Sequence, residues 1–217
     1  MSPGQAYDAA EAFVHLGDAI ERRWRDENYR DSRFPAIAAD ALRQALLPDR
    51  VAPWDVVRWA LTAPQLPAQE DLEARFGAPP ITVYRGRRFY VSVLYWLDGT
   101  TTIHQHAFSG AFQVLHGSSI HGEYDFTEQT EISSRMLAGD VSLRRMELLC
   151  RGDVREILPA RRFVHSLFHL ERPSVSIVVR TYEDVTSHPQ YDYRRPSLAV
   201  DPFYREPSLV RALQCAD

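Results

Sequence analysis

Between residues 6 and 25 apolar side chains recur every three or four positions. Ala9, Phe13, Leu16, Ile20 and Trp24 therefore line one side of a helix. Residues 35–47 repeat the spacing and open on Pro35, whose fixed φ suits a first helical turn. A shorter helix is predicted over residues 54–61, directly after Pro53. One more turn is predicted over residues 71–76, before Gly77. Pro64, Pro67, Pro79 and Pro80 break the chain around it.

After Pro80 the hydrophobic period drops from 3.6 to 2. Residues 81–84 and 88–96 read as two strands around Gly86, and Asp98-Gly99 is a turn signal. Further strands are predicted near 102–106, 111–115, 119–126, 144–149, 161–170 and 175–182. Short strands at this spacing point to an antiparallel sandwich or barrel. From Asp184 onward the chain is polar and proline-containing, which predicts a tail wrapped on the surface with a short helix at 208–214. Three parts follow: a helical region over 1–78, a barrel over 79–186 and a tail over 187–217.

At 217 residues, with 45% hydrophobic and 11% aromatic positions, the chain can close a sizeable core. A formal net charge of −4 gives no general pull towards nucleic acid or an anionic membrane. No apolar run reaches the roughly 18 residues of a membrane span, and the N-terminus lacks a basic, then apolar, secretion signal. A cytoplasmic protein, monomer or homodimer, is the expectation. Two cysteines without CxxC spacing exclude a disulfide framework. All 25 basic residues are arginine, so lysine chemistry (Schiff bases, a Walker-type phosphate site) is excluded, and arginine is the sole fixed cation for an anionic ligand.

The informative segment is Gly99-Thr-Thr-Thr-Ile-His104-Gln-His106-Ala-Phe-Ser-Gly110-Ala-Phe-Gln-Val-Leu-His-Gly117. On a strand, residues i and i+2 share a face, so His104 and His106 project together as two imidazoles suited to one metal ion. A third ligand must come from a strand adjacent in space but distant in sequence. His165, which follows Gly152 and Pro159, is placed for that role. His169 lies four residues on and reads as a satisfied polar residue near the rim, or a supporting donor. His15, His116, His121 and His188 have no partner in the pattern. Gln113, Tyr95 and Trp96 read as structural.

The spacing of His104, His106, Gly110 and Gly117, followed by Gly152, Pro159 and His165, resembles the two motifs of the cupin superfamily. The resemblance covers about residues 81–182. It implies a mainly β fold, a cupin-type antiparallel β-barrel (double-stranded β-helix) with the N-terminal helices packed on it. Most metal-binding cupins carry glutamate where Gly110 stands. Its replacement by glycine or cysteine is similar to the cysteine dioxygenase-like subgroup of three-histidine thiol dioxygenases. That subgroup also has a Ser-x-His-x-Tyr relay after the third histidine, and the matching stretch Ser176-Ile-Val178-Val-Arg180 keeps only the serine.

Three neutral histidines leave a divalent ion its full +2 charge, which favours an anionic, chelating substrate and leaves open positions for substrate and O₂. The resemblance implies Fe(II), with Zn(II), Ni(II) or Mn(II) fitting the same ligands. Arg180 would point into the barrel and grip an anionic group, with Ser176 beside it; Arg85 or Arg88 on the earlier strand could do the same. The expectation is an iron oxygenase acting on a small anionic thiol or amino acid derivative. A non-redox cupin enzyme (isomerase or lyase), or a ligand-binding cupin without turnover, stays open.

Overall fold

The computed structural model describes residues 4–70, 77–97, 101–133, 135–184, 189–194 and 198–200. The turn expected at 71–76, the Asp98-Gly99 turn, and the helix expected at 208–214 lie outside them. Four helices come first: α1 (Gly4–Asp26), α2 (Phe34–Ala45), α3 (Leu47–Arg50) and α4 (Pro53–Thr62). The helix expected at 35–47 is thus broken by Leu46, whose left-handed backbone (φ 49°) ends α2 and redirects the chain into α3.

Eleven strands follow: β1 (Pro80–Arg85), β2 (Phe89–Trp96), β3 (Ile103–His106), β4 (Gly110–His116), β5 (Ser119–Ser133), β6 (Met136–Leu149), β7 (Val154–Ile157), β8 (Ala160–His169), β9 (Ser174–Thr181), β10 (Asp192–Arg194) and β11 (Leu198–Val200). One sheet runs β1-β2-β9-β4-β7; the other contains β3-β8-β5-β6, closed through β10 and β11. Numbered from β2, the eight central strands pair first with eighth, eighth with third and third with sixth. In the other sheet second pairs with seventh, seventh with fourth and fourth with fifth. This alternation between two facing sheets is a jelly roll, the double-stranded β-helix.

Alternation along each strand builds the two faces. On β2, β4 and β9, Val91, Val93, Tyr95, Ala111, Leu115, Val175, Ile177 and Val179 point outward and bury against the apolar stripe of α1 and α2. The expected helical layer is therefore packed on the barrel. Trp24, Phe34 and Phe89 anchor the contact, with ring centroids 4.3 Å (Trp24–Phe34) and 5.5 Å (Phe34–Phe89) apart. Gly17 lets α1 approach β1: a Cβ there would lie 2.3 Å from the Tyr84 ring.

Three regions depart from the predicted pattern, the first being β7 at Val154–Ile157, where no strand was expected. β5 and β6 form one long hairpin, because the polar stretch between 127 and 139 continues the ladder instead of leaving it. The segment after 187 is not only a surface wrap. β10 pairs with β3, Tyr191 and Tyr193 are buried with Phe126 and Val164, and Asp192 accepts a hydrogen bond from the Thr102 hydroxyl at 3.0 Å. None of the described helices is long and apolar enough to cross a membrane.

Candidate metal centre

β3 and β8 are neighbours in the sheet, and His104 sits directly opposite His165. His104 and His106, two residues apart on β3, present both imidazoles to the inner face; the register shift between them lies on β8, where His106 pairs with Ala160. The three rings are buried, and their ligating nitrogens lie within 4.8 Å of one another. The Nε2 atoms of His106 and His165 are 2.9 Å apart. Two nitrogens at right angles on one ion, each about 2.1 Å from it, would be about 3 Å apart. The spacing fits one shared cation.

The hydrogen bonds assign the tautomers. His104 Nδ1 donates to the Thr102 carbonyl at 2.8 Å, so its Nε2 carries the lone pair. His165 Nδ1 lies 3.1 Å from His121 Nε2, and His121 Nδ1 lies 3.1 Å from Glu147 Oε1. The Glu147 carboxyl is held at about 2, chiefly by its hydrogen bonds from Arg155, and so can only accept. His121 therefore donates through Nδ1 and accepts through Nε2. His165 must donate through Nδ1, which leaves its Nε2 bare and aimed at the other two. His106 Nδ1 has no hydrogen-bond partner among the described residues; its ring is held instead by packing on Phe108, 4.5 Å away between centroids.

Burial is the main electrostatic force on these rings. It drives the pKa of His104 down and those of His106 and His165 well down, so all three are neutral at pH 7. Neighbouring His104 and Arg180 lower His106 further, and the other histidines lower His165. Three neutral imidazoles converging in an apolar interior, two of them with the inward nitrogen bare, form a donor set for a divalent transition metal.

The histidines stand in the wall of a cavity of about 70 Å³, lined otherwise by Tyr90, Leu94, Trp96, Phe108, Phe112, Ile157, Leu167 and Val178. At roughly 10–15 Å³ per water, it holds about five to seven water-sized groups. Arg180 and Ser176 also face it. Arg180 is buried, its guanidinium carbon is 3.6 Å from the centre of the Phe108 ring, and it pairs with Glu183 at 2.7 Å. It is the only permanently charged side chain in the described lining. The Ser176 hydroxyl accepts a hydrogen bond from Trp96 Nε1 at 3.0 Å.

Arg85 is not there. It ends the edge strand β1, half-exposed on the outside, paired with Glu70 at 2.5 Å. A bulge between Thr82 and Tyr84, and β1's place at the edge of the sheet among the described strands, leave its side chain facing solvent. Arg88 likewise sits over the Tyr29 ring, away from the cavity. His169 stands apart from the cluster of three: it stacks on Trp96 with centroids 4.5 Å apart and meets the Ser119 hydroxyl at 2.8 Å. Gln113 donates to the Gly152 carbonyl and is structural.

Position 110 has no room for a ligating side chain. A Cβ built on it would lie 2.0 Å from the Val179 carbonyl oxygen and 3.0 Å from Arg180 Cα. The β9 backbone fills the volume that a carboxylate side chain would need. His121 and Glu147 are the partners that sequence reasoning missed. They face each other directly across the β5–β6 hairpin, and the one available signal was the summed numbering of that hairpin.

No family model matches the chain, and no curated protein matches it in sequence. Solved structures similar to it include hydroquinone 1,2-dioxygenase PnpCD in complex with Cd²⁺ and 4-hydroxybenzonitrile, at 17% identity, covering 46% of this chain and 62% of that one, with a TM-score of 0.35. Hydroquinone 1,2-dioxygenase from Sphingomonas sp. TTNP3 with 4-hydroxybenzoate bound is similar at 12% identity, with 58% and 73% covered and a TM-score of 0.37. Oxalate decarboxylase from Bacillus subtilis is similar at 14% identity, with 59% and 28% covered and a TM-score of 0.31. The chain thus spans about three fifths of the PnpCD chain and under a third of the decarboxylase chain. At these identities and TM-scores no residue role carries over.

Proposed function

We propose that this chain is a mononuclear non-haem metal enzyme, an iron-dependent oxygenase of dioxygenase type, acting on a small anionic substrate such as a thiol or amino acid derivative. The observation that carries the reading is the convergence of three buried, neutral imidazoles, with no acidic ligand beside them among the described residues, on the wall of a small apolar cavity. His104, His106 and His165 would hold the ion through Nε2. When bound, Fe(II) supplies a centre that can engage substrate and O₂ at the positions the histidines leave open.

The chain's own residues then do three things. The apolar walls from Leu94, Phe108, Phe112, Ile157 and Val178 exclude water and restrict the substrate to a few non-hydrogen atoms. Arg180 receives the anionic group, since a guanidinium can hold a carboxylate by two parallel hydrogen bonds. Its stacking on Phe108 fixes the plane in which that group must lie. The Ser176 hydroxyl, oriented by the Trp96 indole, offers a polar contact at the other end of β9's inner row from Arg180. Neither Val178 nor Arg180 can take the part of the histidine and tyrosine in the thiol dioxygenase relay, so an anion clamp stands where that relay ends.

The test is anaerobic addition of small thiol, amino and aromatic acids to the Fe(II)-loaded protein, followed by O₂. The expected result is a change in the optical spectrum with one class of acid, followed by O₂ uptake tied to its consumption. Conversion of such an acid in the absence of O₂ would replace this reading with a non-redox metal enzyme. Tight binding without turnover under either condition would replace it with a ligand-binding protein.

A further inference from the structure

Behind His165, on the side away from the cavity, lies a second pair of groups that the proposed reaction does not touch. His121 is fully buried, and Glu147 is mostly so, with 14% of its side chain exposed. The two are opposite one another on β5 and β6, while β5 also pairs with β8 and brings His121 alongside His165. Both distances in the resulting row, Glu147 to His121 and His121 to His165, are 3.1 Å. Arg155 clamps Glu147 with two hydrogen bonds, at 2.8 and 2.6 Å, and Arg145 adds a third contact.

We propose that Glu147 and His121 are positioning residues for the metal centre, forming a hydrogen-bonded row that sets His165 in the one tautomer able to ligate through Nε2. The proposal rests on reading His165 as a metal ligand. A neutral imidazole has one donor and one acceptor, so a carboxylate at one end of a two-imidazole row fixes every proton in it. Glu147 accepts from His121 Nδ1, His121 Nε2 accepts from His165 Nδ1, and the Nε2 lone pair of His165 is left facing His106. A ring supported this way is also held in orientation and made a better donor, which is what hydrogen bonds behind metal ligands do. His104 obtains the same result from one backbone carbonyl.

A second metal site built from His121, Glu123 and Glu147 is the competing use of these groups, because their ligating atoms also lie within 4.8 Å of one another. The arginines argue against it. Arg155 and Arg145 hold Glu147, and Arg144 holds Glu123, so guanidinium charge already occupies the approach to both carboxylates.

The experiment pairs two readouts on the full chain: the tautomer of His165 from long-range ¹H–¹⁵N correlation in the metal-free protein, and Co(II) affinity by chelator competition. Wild type should show His165 protonated at Nδ1. His121→Phe should lose that single tautomer and bind Co(II) about 10–100-fold more weakly. His121→Gln, whose amide oxygen can accept from His165 Nδ1, should stay within a few-fold of wild type. Glu147→Met, which removes the acceptor at a partly exposed position, gives a second route if His121→Phe does not fold, and should mix the tautomers of both histidines.

An unchanged His165 tautomer in His121→Phe or Glu147→Met, or an unchanged Co(II) affinity in either of these two variants when folded, overturns the proposal. Failure of wild type to bind Co(II) would instead remove the metal reading. The tautomer arm then still decides, a single Nδ1-protonated His165 that depends on His121 supporting the row and its independence from His121 ending it.

Discussion

Adding a single methyl group at position 110 tests the claim that the β9 backbone leaves no room there for an acidic ligand. In Gly110→Ala the new Cβ would start 2.0 Å from the Val179 carbonyl oxygen, where about 3.0 Å is the practical floor. β4 and β9 must therefore separate locally by about 1 Å, and the obstacle is backbone that cannot rotate away. Overpacking of this kind costs about 1–3 kcal/mol, and a weakened ladder hydrogen bond between the two strands adds about 0.5–1.5 kcal/mol. The expected loss is about 2–4 kcal/mol, a large share of the roughly 5–15 kcal/mol that holds a typical domain folded. Urea denaturation of the metal-free proteins measures it directly. Gly110→Glu should be worse still, and should not add an acidic ligand. A Gly110→Ala variant within about 0.5 kcal/mol of wild type would refute the steric argument, as that is the range of neutral surface changes. A folded Gly110→Glu variant with its carboxylate on a bound ion would refute it too.

Arg180→Met keeps the length of the side chain but removes its charge, and should weaken competition by small carboxylates about 10–100-fold, in line with roughly 1.5–3 kcal/mol for a charged hydrogen bond; equal affinity would remove Arg180 from the site. Arg85→Ala, on the outer edge strand, should leave that affinity within twofold. Acid should destabilise the metal-free fold, because burial holds His104, His106, His121 and His165 below the usual 6.5 and pushes His169 to about 4. The unfolded chain then binds more protons than the folded one below pH 6.5, so the unfolding free energy is level above that pH and falls beneath it. His169→Gln should flatten the fall between pH 6.5 and 4, and denaturation curves showing equal slopes would count against the assignment.

Much of this centre was legible because strand periodicity is local. His104-Gln-His106 needs only the rule that i and i+2 share a face, and the long spacing to His165 needs only one strand returning beside another. What was not legible depended on register. His121 meets Glu147 only if β5 and β6 form one continuous hairpin, and the polar residues between 127 and 139 predict no strand to join the two. Arg85 was misplaced for a similar reason: the bulge in β1 and its edge position are tertiary facts that alternation does not encode. The tail after 187 read as a wrap because its polar residues outnumber its apolar ones. Yet Tyr191 and Tyr193 are buried there, and Asp192 is satisfied by Thr102. Gly110 was singled out by its type, but only the distance to Val179 shows why no carboxylate can stand there.

The most direct test of the central claim is a calorimetric titration of metal-free protein with a divalent metal, Co(II) or Fe(II) under argon. It should be run beside His104→Ala, His106→Ala and His165→Ala. One ion per chain in wild type, with that binding lost or greatly weakened in each of the three variants, is the predicted result. Undiminished binding of one ion in folded His165→Ala would contradict it, since the account requires β3 and β8 to hold the same ion.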